Sequence, residues 1–289
     1  MQKIIHLYRL DFSNRIIVIK YLFKRIFKLK TSAKERLIND YYYHLIKLQG
    51  FFKEQTENYF IAHYPKWKAT IKTRKRPSSD LDVFAQVLGD LEYKSVVDKF
   101  KANFKTHQSL RIMDAGSNIG LTTLYFSRFF SDAEFICIEP NESNLDVLTF
   151  NLDVNSIAKT HKIKAGFWSK DTYLNIISDF RGHYDWSYRV VEAENETDLE
   201  AFSIPFLVEK FNWDSIDILK MDIEGSEKEV FTNPASDISF LAITKCIAIE
   251  IHDEFNCREA ICKILKNYGF SLFNSGELTI GVNQNWINK

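Results

Sequence analysis

Residues Arg111-Ile-Met-Asp-Ala-Gly-Ser-Asn-Ile-Gly120 run from a short apolar segment, through Asp114 and two glycines, into the helical pattern Leu-Thr-Thr-Leu-Tyr-Phe126. A strand, a tight loop and a helix start in that order place the chain in the α/β class, because parallel strands are joined by helical crossovers. The first N–H groups of a helix lack internal partners, so the loop reads as a point where backbone amides converge on a polar group. A second apolar run, Glu134-Phe-Ile-Cys-Ile138, ends in Glu139-Pro140-Asn141, nineteen residues beyond Gly120. A carboxylate there is placed to accept hydrogen bonds from a ribose. Together the two segments predict a nucleoside cofactor site.

The loop also narrows which nucleoside. A nicotinamide fingerprint is Gly-x-Gly-x-x-Gly, whereas this chain has Asp-x-Gly-x-x-x-Gly. It lacks the closely spaced glycines that let backbone crowd a pyrophosphate, and Asp114 would repel one. A carboxylate there can instead orient an ammonium, through loop groups or water. S-adenosylmethionine carries an ammonium, a ribose and an adenine but no phosphate, and the spacing resembles motif I of the class I methyltransferases that use it. The candidate contacts are Asp114, Gly116, Ser117, Asn118 and Gly120, then Glu139, Pro140 and Asn141. Phe167 or Trp168, after the third strand, can stack on adenine or pack in the core.

From about residue 95 strands and helices alternate. Strands are expected at 110–115, 134–139, 162–166, 215–222, 245–252, 270–274 and 278–283, and helices at 119–130, 142–154, 224–231 and 254–268. Ile216-Asp-Ile-Leu-Lys-Met221 and Cys246-Ile-Ala-Ile-Glu-Ile251 are apolar enough for a sheet covered on both faces. The last two strands have no helix between them and predict an antiparallel hairpin at the C-terminal edge of a mostly parallel, seven-stranded, Rossmann-like sheet. Residues 172–213 are irregular, with short alternating runs such as Tyr188-Arg-Val-Val191, and read as an insertion carrying a hairpin near the cleft.

Residues 1–76 form a separate, helical and basic N-terminal region ahead of a domain at 77–289. Ten Lys and Arg face only Asp11 and Glu35 in the first 36 residues. Ile16, Ile17, Ile19, Leu22, Phe23, Ile26 and Phe27 recur at helical spacing among Arg15, Lys20, Lys24 and Arg25. Such a pattern permits peripheral attachment to an anionic membrane, at the inner face, but its default use is packing on the catalytic domain or a second subunit, which allows a homodimer. Lys72-Thr-Arg-Lys-Arg76-Pro-Ser-Ser reads as a solvated boundary, with Ser78, Ser79 or Asp80 capping the next helix. No apolar run approaches a membrane span. No signal peptide is visible, and Cys137, Cys246, Cys257 and Cys262 lack zinc-ligand spacing, so core thiols in a reducing cytoplasm are expected. The net charge is zero and the basic patch lies outside the motifs, which argues against a nucleic-acid partner.

Chemistry is expected where the parallel strands end. Lys220, Asp222 and Glu224 close one strand; Glu250 and His252 close another. Alternation predicts a Lys220–Glu250 pair below an Asp222–His252 pair. Buried charges need such partners. His252, held by a carboxylate, is the expected base near neutral pH, with Asp222 or Glu224 as substitute or acceptor guide. A divalent metal on Asp222, Glu224 or Glu250 with His252 is chemically allowed, but no spacing demands one and none is assigned.

Arg76-Pro-Ser-Ser-Asp-Leu-Asp-Val-Phe-Ala-Gln-Val, Asp114-Ala-Gly-Ser-Asn-Ile-Gly120, Ile138-Glu-Pro140, Ile216-Asp-Ile-Leu-Lys-Met-Asp-Ile-Glu-Gly-Ser-Glu227 and Ile249-Glu-Ile-His252 together resemble the FkbM-type methyltransferases over residues 75–275. The resemblance implies a class I fold, S-adenosylmethionine as donor, and O-methylation of sugars or natural products. It implies cofactor positions at Asp114, Gly116, Asn118, Gly120 and Glu139, and a reaction end lined by Asp222, Glu224 and His252. Ile204-Pro-Phe-Leu-Val-Glu-Lys-Phe departs from the Leu-Asp-x-Leu pattern found before that block, which leaves the acceptor side open. The expected function is O-methylation of a saccharide hydroxyl, in a surface polysaccharide or its lipid-linked precursor. The rivals are methylation of a small secondary metabolite and a catalytically silent cofactor-binding partner subunit.

Overall fold

The computed structural model describes residues 4–105, 109–177 and 189–287. The chain divides into two compact units, Met1–Asp90 and Leu91–Lys289.

The first unit opens with a 3-10 turn, Ile4–Arg9, followed by α1 (Phe12–Ile26) and α2 (Ala33–Lys47). Asp11 caps α1, accepting from the Asn14 N–H. Ser32 and Glu35 cap α2 reciprocally, the Ser-x-x-Glu capping box. The expectation of an all-helical region is corrected beyond residue 50. Here β1 (Phe51–Gln55), β2 (Tyr59–Tyr64) and β3 (Ala69–Arg74) form an antiparallel sheet. Phe60, Ala62 and Tyr64 alternate inward on β2, as do Ala69, Ile71 and Thr73 on β3. That is a period of two, which cannot form one face of a helix. Tyr41 of α2 stacks on Phe60 at 3.9 Å between centroids.

The basic run at 72–76 is not a solvated boundary. Its first part is the end of β3, and the Arg74 guanidinium forks onto the fully buried Asp80 at 2.7 Å. The next helix, α3 (Asp80–Phe84), continues as a π-helical turn to Gly89 and has no side-chain cap bond: Asp80 is engaged with Arg74, and the Ser78 hydroxyl donates to the Arg74 carbonyl. Phe84 packs on His44 and Tyr64, so this segment belongs to the first unit and the division falls after Asp90 rather than Arg76. On α1 only Asn14 and Val18 are buried. Ile16, Ile19, Phe23, Ile26 and Phe27 are exposed in the single chain.

In the second unit, α4 (Lys94–Asn103) precedes β4 (Arg111–Ala115), α5 (Leu121–Ser127), β5 (Glu134–Ile138), α6 (Glu142–Val154) and β6 (Thr160–Ile163). An insertion then supplies β7 (Gly166–Phe167), β8 (Thr172–Ile177), β9 (Arg189–Glu192) and β10 (Glu200–Phe202). These form a small sheet ordered β7-β10-β8-β9, and β8 and β9 make the expected hairpin. Tyr188 lies outside the described residues. The chain returns through α7 (Ile204–Lys210), β11 (Ile216–Met221), α8 (Glu227–Thr232), β12 (Thr244–Glu250), α9 (Arg258–Asn267), β13 (Phe270–Ser275) and β14 (Leu278–Asn283).

The main sheet is ordered β6-β5-β4-β11-β12-β14-β13, with β14 running opposite to the other six strands. Strand order reverses between β4 and β11, which opens a crevice above their carboxyl ends. All six residues of β11 are buried. Its Asp217 is matched by the Arg111 N–H at 2.7 Å and the Lys245 ammonium at 2.7 Å. Three expected helices start late because left-handed residues precede them, α9 after Asn256 being one. Asn118 and Gly120 delay α5, and Glu224 and Gly225 delay α8.

Candidate active site

The β4–α5 loop is braced almost wholly by its own chain. The Gly116 and Ser117 N–H groups donate to the Ile138 carbonyl at 3.0 and 2.9 Å, and the Gly120 N–H to Ser117 at 2.9 Å. The Ser117 hydroxyl bridges the Asp114 carbonyl and the Ile138 N–H. The amides expected to converge on a ligand are thus largely spent on β5. Gly116 has φ +75°, and a Cβ there would lie 1.8 Å from the Asp222 carbonyl oxygen. Only glycine allows the ends of β4 and β11 to approach so closely.

Beneath this loop, Asp114 is fully buried. Its Oδ2 accepts from Thr123 at 2.6 Å, and its Oδ1 sits 3.4 Å from the Lys220 ammonium. Lys220 donates onward to the Ala115 and Gly116 carbonyls, at 3.1 and 2.6 Å. Asp114 and Lys220 therefore form a buried pair that fixes the loop from below, and the Asp114 carboxylate does not reach the cavity surface. The expected Lys220–Glu250 pairing is corrected by register: Lys220 stands opposite Asp114 on β4 and Ala248 on β12.

A cavity open at its mouth lies above the switch point. Gly116, Asn118, Glu139, Pro140, Asn144 and Phe167 line one part; Asp222, Ile223, Glu224 and Ser226 line another. Glu139 is its hub. Its Oε2 accepts from the Asn118 N–H at 2.8 Å, and its Oε1 from the Asn141 N–H and the Asn144 amide, both at 3.0 Å. Burial pushes its pKa up, and these three donors oppose that rise. Each carboxylate oxygen accepts about two bonds, so Oε2 keeps capacity for a ligand hydroxyl.

At the opposite end, His252 is buried between carboxylates. Its Nδ1 lies 3.2 Å from Glu227 Oε1, and its Nε2 lies 3.4 Å from Glu224 and 3.9 Å from Glu250. Burial pulls its pKa down, but hydrogen bonds to Glu224 and Glu227 outweigh it and push the value up to about 11. The carboxylates on both sides of the ring favour its protonated form, in which both nitrogens donate. A protonated His252 has no free lone pair, so this geometry favours it as a positioning group over the base expected from sequence. Burial and the nearby Asp222 carboxylate push Glu250 up to about 8, and burial raises Glu224. Asp222, Glu250 and His252 each offer one ligand atom within 4.8 Å of the others, as do Glu92, Glu250 and Glu277, and the ring could join the first group only without its Nε2 proton.

Of the positions expected from sequence, the cavity gathers Gly116, Asn118, Glu139, Pro140, Phe167, Asp222 and Glu224. Ser117, Gly120 and Asp114 support the loop. Asn141 caps α6 by accepting from the Asn144 N–H. Trp168 packs with Leu174, Leu199 and Ala201 in the insertion. Asn144 and Glu227 were not expected. Asn144 sits three residues after the Asn141 cap, where a side chain can reach back toward the preceding turn. Glu227 is fully buried and also accepts from the Ile223 N–H at 3.0 Å. Its place at the start of α8, one turn past Ile223, was the available signal.

This sheet order, with a cavity at the switch point, defines a class I methyltransferase fold. Residues 114–272 match the model of the methyltransferase FkbM domain. The chain belongs to the FkbM methyltransferase family, whose members use S-adenosylmethionine. It is 25% identical over 193 residues to Methyltransferase sdnD of Sordaria araneosa, covering 56% of this chain and 73% of that one. It is 22% identical over 179 residues to Methyltransferase 1 of Beauveria bassiana, covering 53% and 72% respectively. Among solved structures, it resembles Methyltransferase FkbM from Methylobacillus flagellatus with 15% identity and a TM-score of 0.41, covering 71% of this chain and 53% of that one.

Proposed function

We propose that the protein is an S-adenosylmethionine-dependent O-methyltransferase acting on a hydroxyl of a saccharide. The observation that carries the donor is the spent loop: amides that would cradle a phosphate are bound to Ile138, while the Glu139 carboxylate remains at the cavity wall. Those residues fit a donor with a ribose and no phosphate. Glu139 would accept from the ribose hydroxyls, Phe167 would face the adenine, and Asn118 and the Gly116 backbone would border the methionine end. When bound, the donor supplies an electrophilic methyl on a sulfonium.

Asp222 lines the cavity and is placed to orient an acceptor hydroxyl and take its proton. His252, as a cation, positions Glu224 beside it. Two carboxylates at the mouth suit a polyhydroxylated acceptor, since each accepts from neighbouring hydroxyls. A small secondary metabolite is the second reading, and it fits the fungal origin of both relatives.

Calorimetry with S-adenosylhomocysteine tests the donor, and absence of heat would sink it. Transfer of labelled methyl to a panel of oligosaccharides and phenolic metabolites tests the acceptor. Asp222→Asn should lower turnover by about 100-fold or more while leaving S-adenosylhomocysteine binding within a few-fold. Unchanged turnover would remove Asp222 from its assigned role, and biological output unaffected by that change would favour a silent partner subunit.

A further inference from the structure

Among the described residues, fourteen large apolar side chains are exposed, and ten of them lie between Ile4 and Leu29. Isolated apolar residues on a surface are ordinary, but a contiguous gathering marks a contact surface. On α1 the gathering has helical order. Phe12, Ile16, Ile19, Phe23 and Ile26 are separated by four or three residues and are between 38% and 76% exposed, whereas Val18 is fully buried. At about 100° per residue, these five fall within roughly 40° of a common line along the helix. Arg15 and Lys20 fall about 60° and 80° to either side of it, and Val18 about 120° away.

The stripe is thus apolar at its centre and cationic along both edges. Lys28 and Lys30 extend the positive charge past its C-terminal end, and both are exposed. Of the two acidic residues in the first 36, Glu35 is already engaged with Lys24 at 2.7 Å. At fifteen residues α1 is too short to cross a bilayer, and no helix among the described residues is long and apolar enough to do so.

We infer that Ile4–Leu29 docks in the plane of an anionic lipid surface. The stripe lies among the upper acyl chains, and Lys20 and Lys28 reach the phosphates. Charge complementarity selects this occupant over a second copy of the chain. Two copies pairing through the stripe would bring the same cationic edges together, with too few local carboxylates to offset them. The inference is independent of the acceptor.

Flotation of the full-length protein with vesicles tests it. With phosphatidylcholine containing phosphatidylglycerol the protein should float, and with phosphatidylcholine alone partitioning should fall by about tenfold or more. Raised salt should weaken binding to the anionic vesicles. Phe12→Ser with Phe23→Ser, and separately Lys20→Glu with Lys28→Glu, should each reduce partitioning by about tenfold or more while preserving circular dichroism and melting temperature. Wild-type protein that stays at the bottom of the gradient with anionic vesicles overturns the inference. So does equal binding to neutral vesicles. A concentration-dependent dimer dissolved by the Phe substitutions, without flotation, assigns the stripe to a second copy instead.

Discussion

Replacing His252 by Gln removes the cation to which Glu224 and Glu227 are matched. Glu227 is fully buried and would keep a carboxylate with no counter-charge. The imidazole pKa rises from its usual 6.5 to about 11, which corresponds to an upper bound of about 6 kcal/mol. Water reaches Glu224 and Glu250, whose side chains are 25% and 23% exposed, so screening reduces this. Loss of one partner of a buried pair costs about 3–5 kcal/mol, and the lower end applies here. For a unit of about 200 residues, 3 kcal/mol lowers the melting temperature by roughly 6–12 °C.

The folded protein holds the His252 proton more tightly than the unfolded chain does. The stabilisation is therefore complete below about pH 6.5 and is lost progressively as pH rises toward about 11. Thermal melts of wild type and His252→Gln should differ most near pH 6.5, and the gap should shrink progressively as pH rises toward about 11. A gap that stays constant over that range would refute the charge argument and leave only a packing defect. Activity should also show no inflection from His252 near its usual pKa.

Three other outcomes follow from the geometry. Lys220→Met leaves Asp114 buried without its cation and should cost about 3–5 kcal/mol in urea unfolding; adding Asp114→Asn should recover part of that loss. Glu139→Gln places an amide where three donors converge, and should weaken S-adenosylhomocysteine binding by about tenfold or more in calorimetry. Gly116→Ala sets a methyl against the Asp222 carbonyl, and should destabilise by about 2–3 kcal/mol with loss of cofactor binding, whereas a wild-type melt and affinity would show that the strand ends can part freely.

The parallel core was legible because β11 and β12 are apolar throughout, and the hairpin at β13 and β14 because no helix fits between them. Register was not legible. Strand alternation gives the face of Lys220 but not its neighbour, and Asp114, 106 positions earlier, proved to be the partner across β4. The charge state of His252 was hidden for a similar reason. Sequence put it near carboxylates, but not between two of them, since Glu227 arrives from the first turn of α8. In the N-terminal region, the alternation of Tyr59–Tyr64 and Ala69–Arg74 was present in the residues, yet the helical period of α1 and α2 dominated the reading. Glu139 was placed correctly at the cavity because the end of a parallel strand beside a glycine loop leaves few other directions for it.

The bonds from Gly116 and Ser117 to Ile138 also bear on how readily this scaffold changes cofactor. A family member drifting toward a phosphorylated ligand could not do so by inserting glycines alone. It would have to release two amides from the β5 carbonyl, which means rebuilding the β4–β5 junction and resettling Ser117. Variation should therefore collect at the mouth, around Asp222 and Glu224, where acceptors can be exchanged without disturbing the floor.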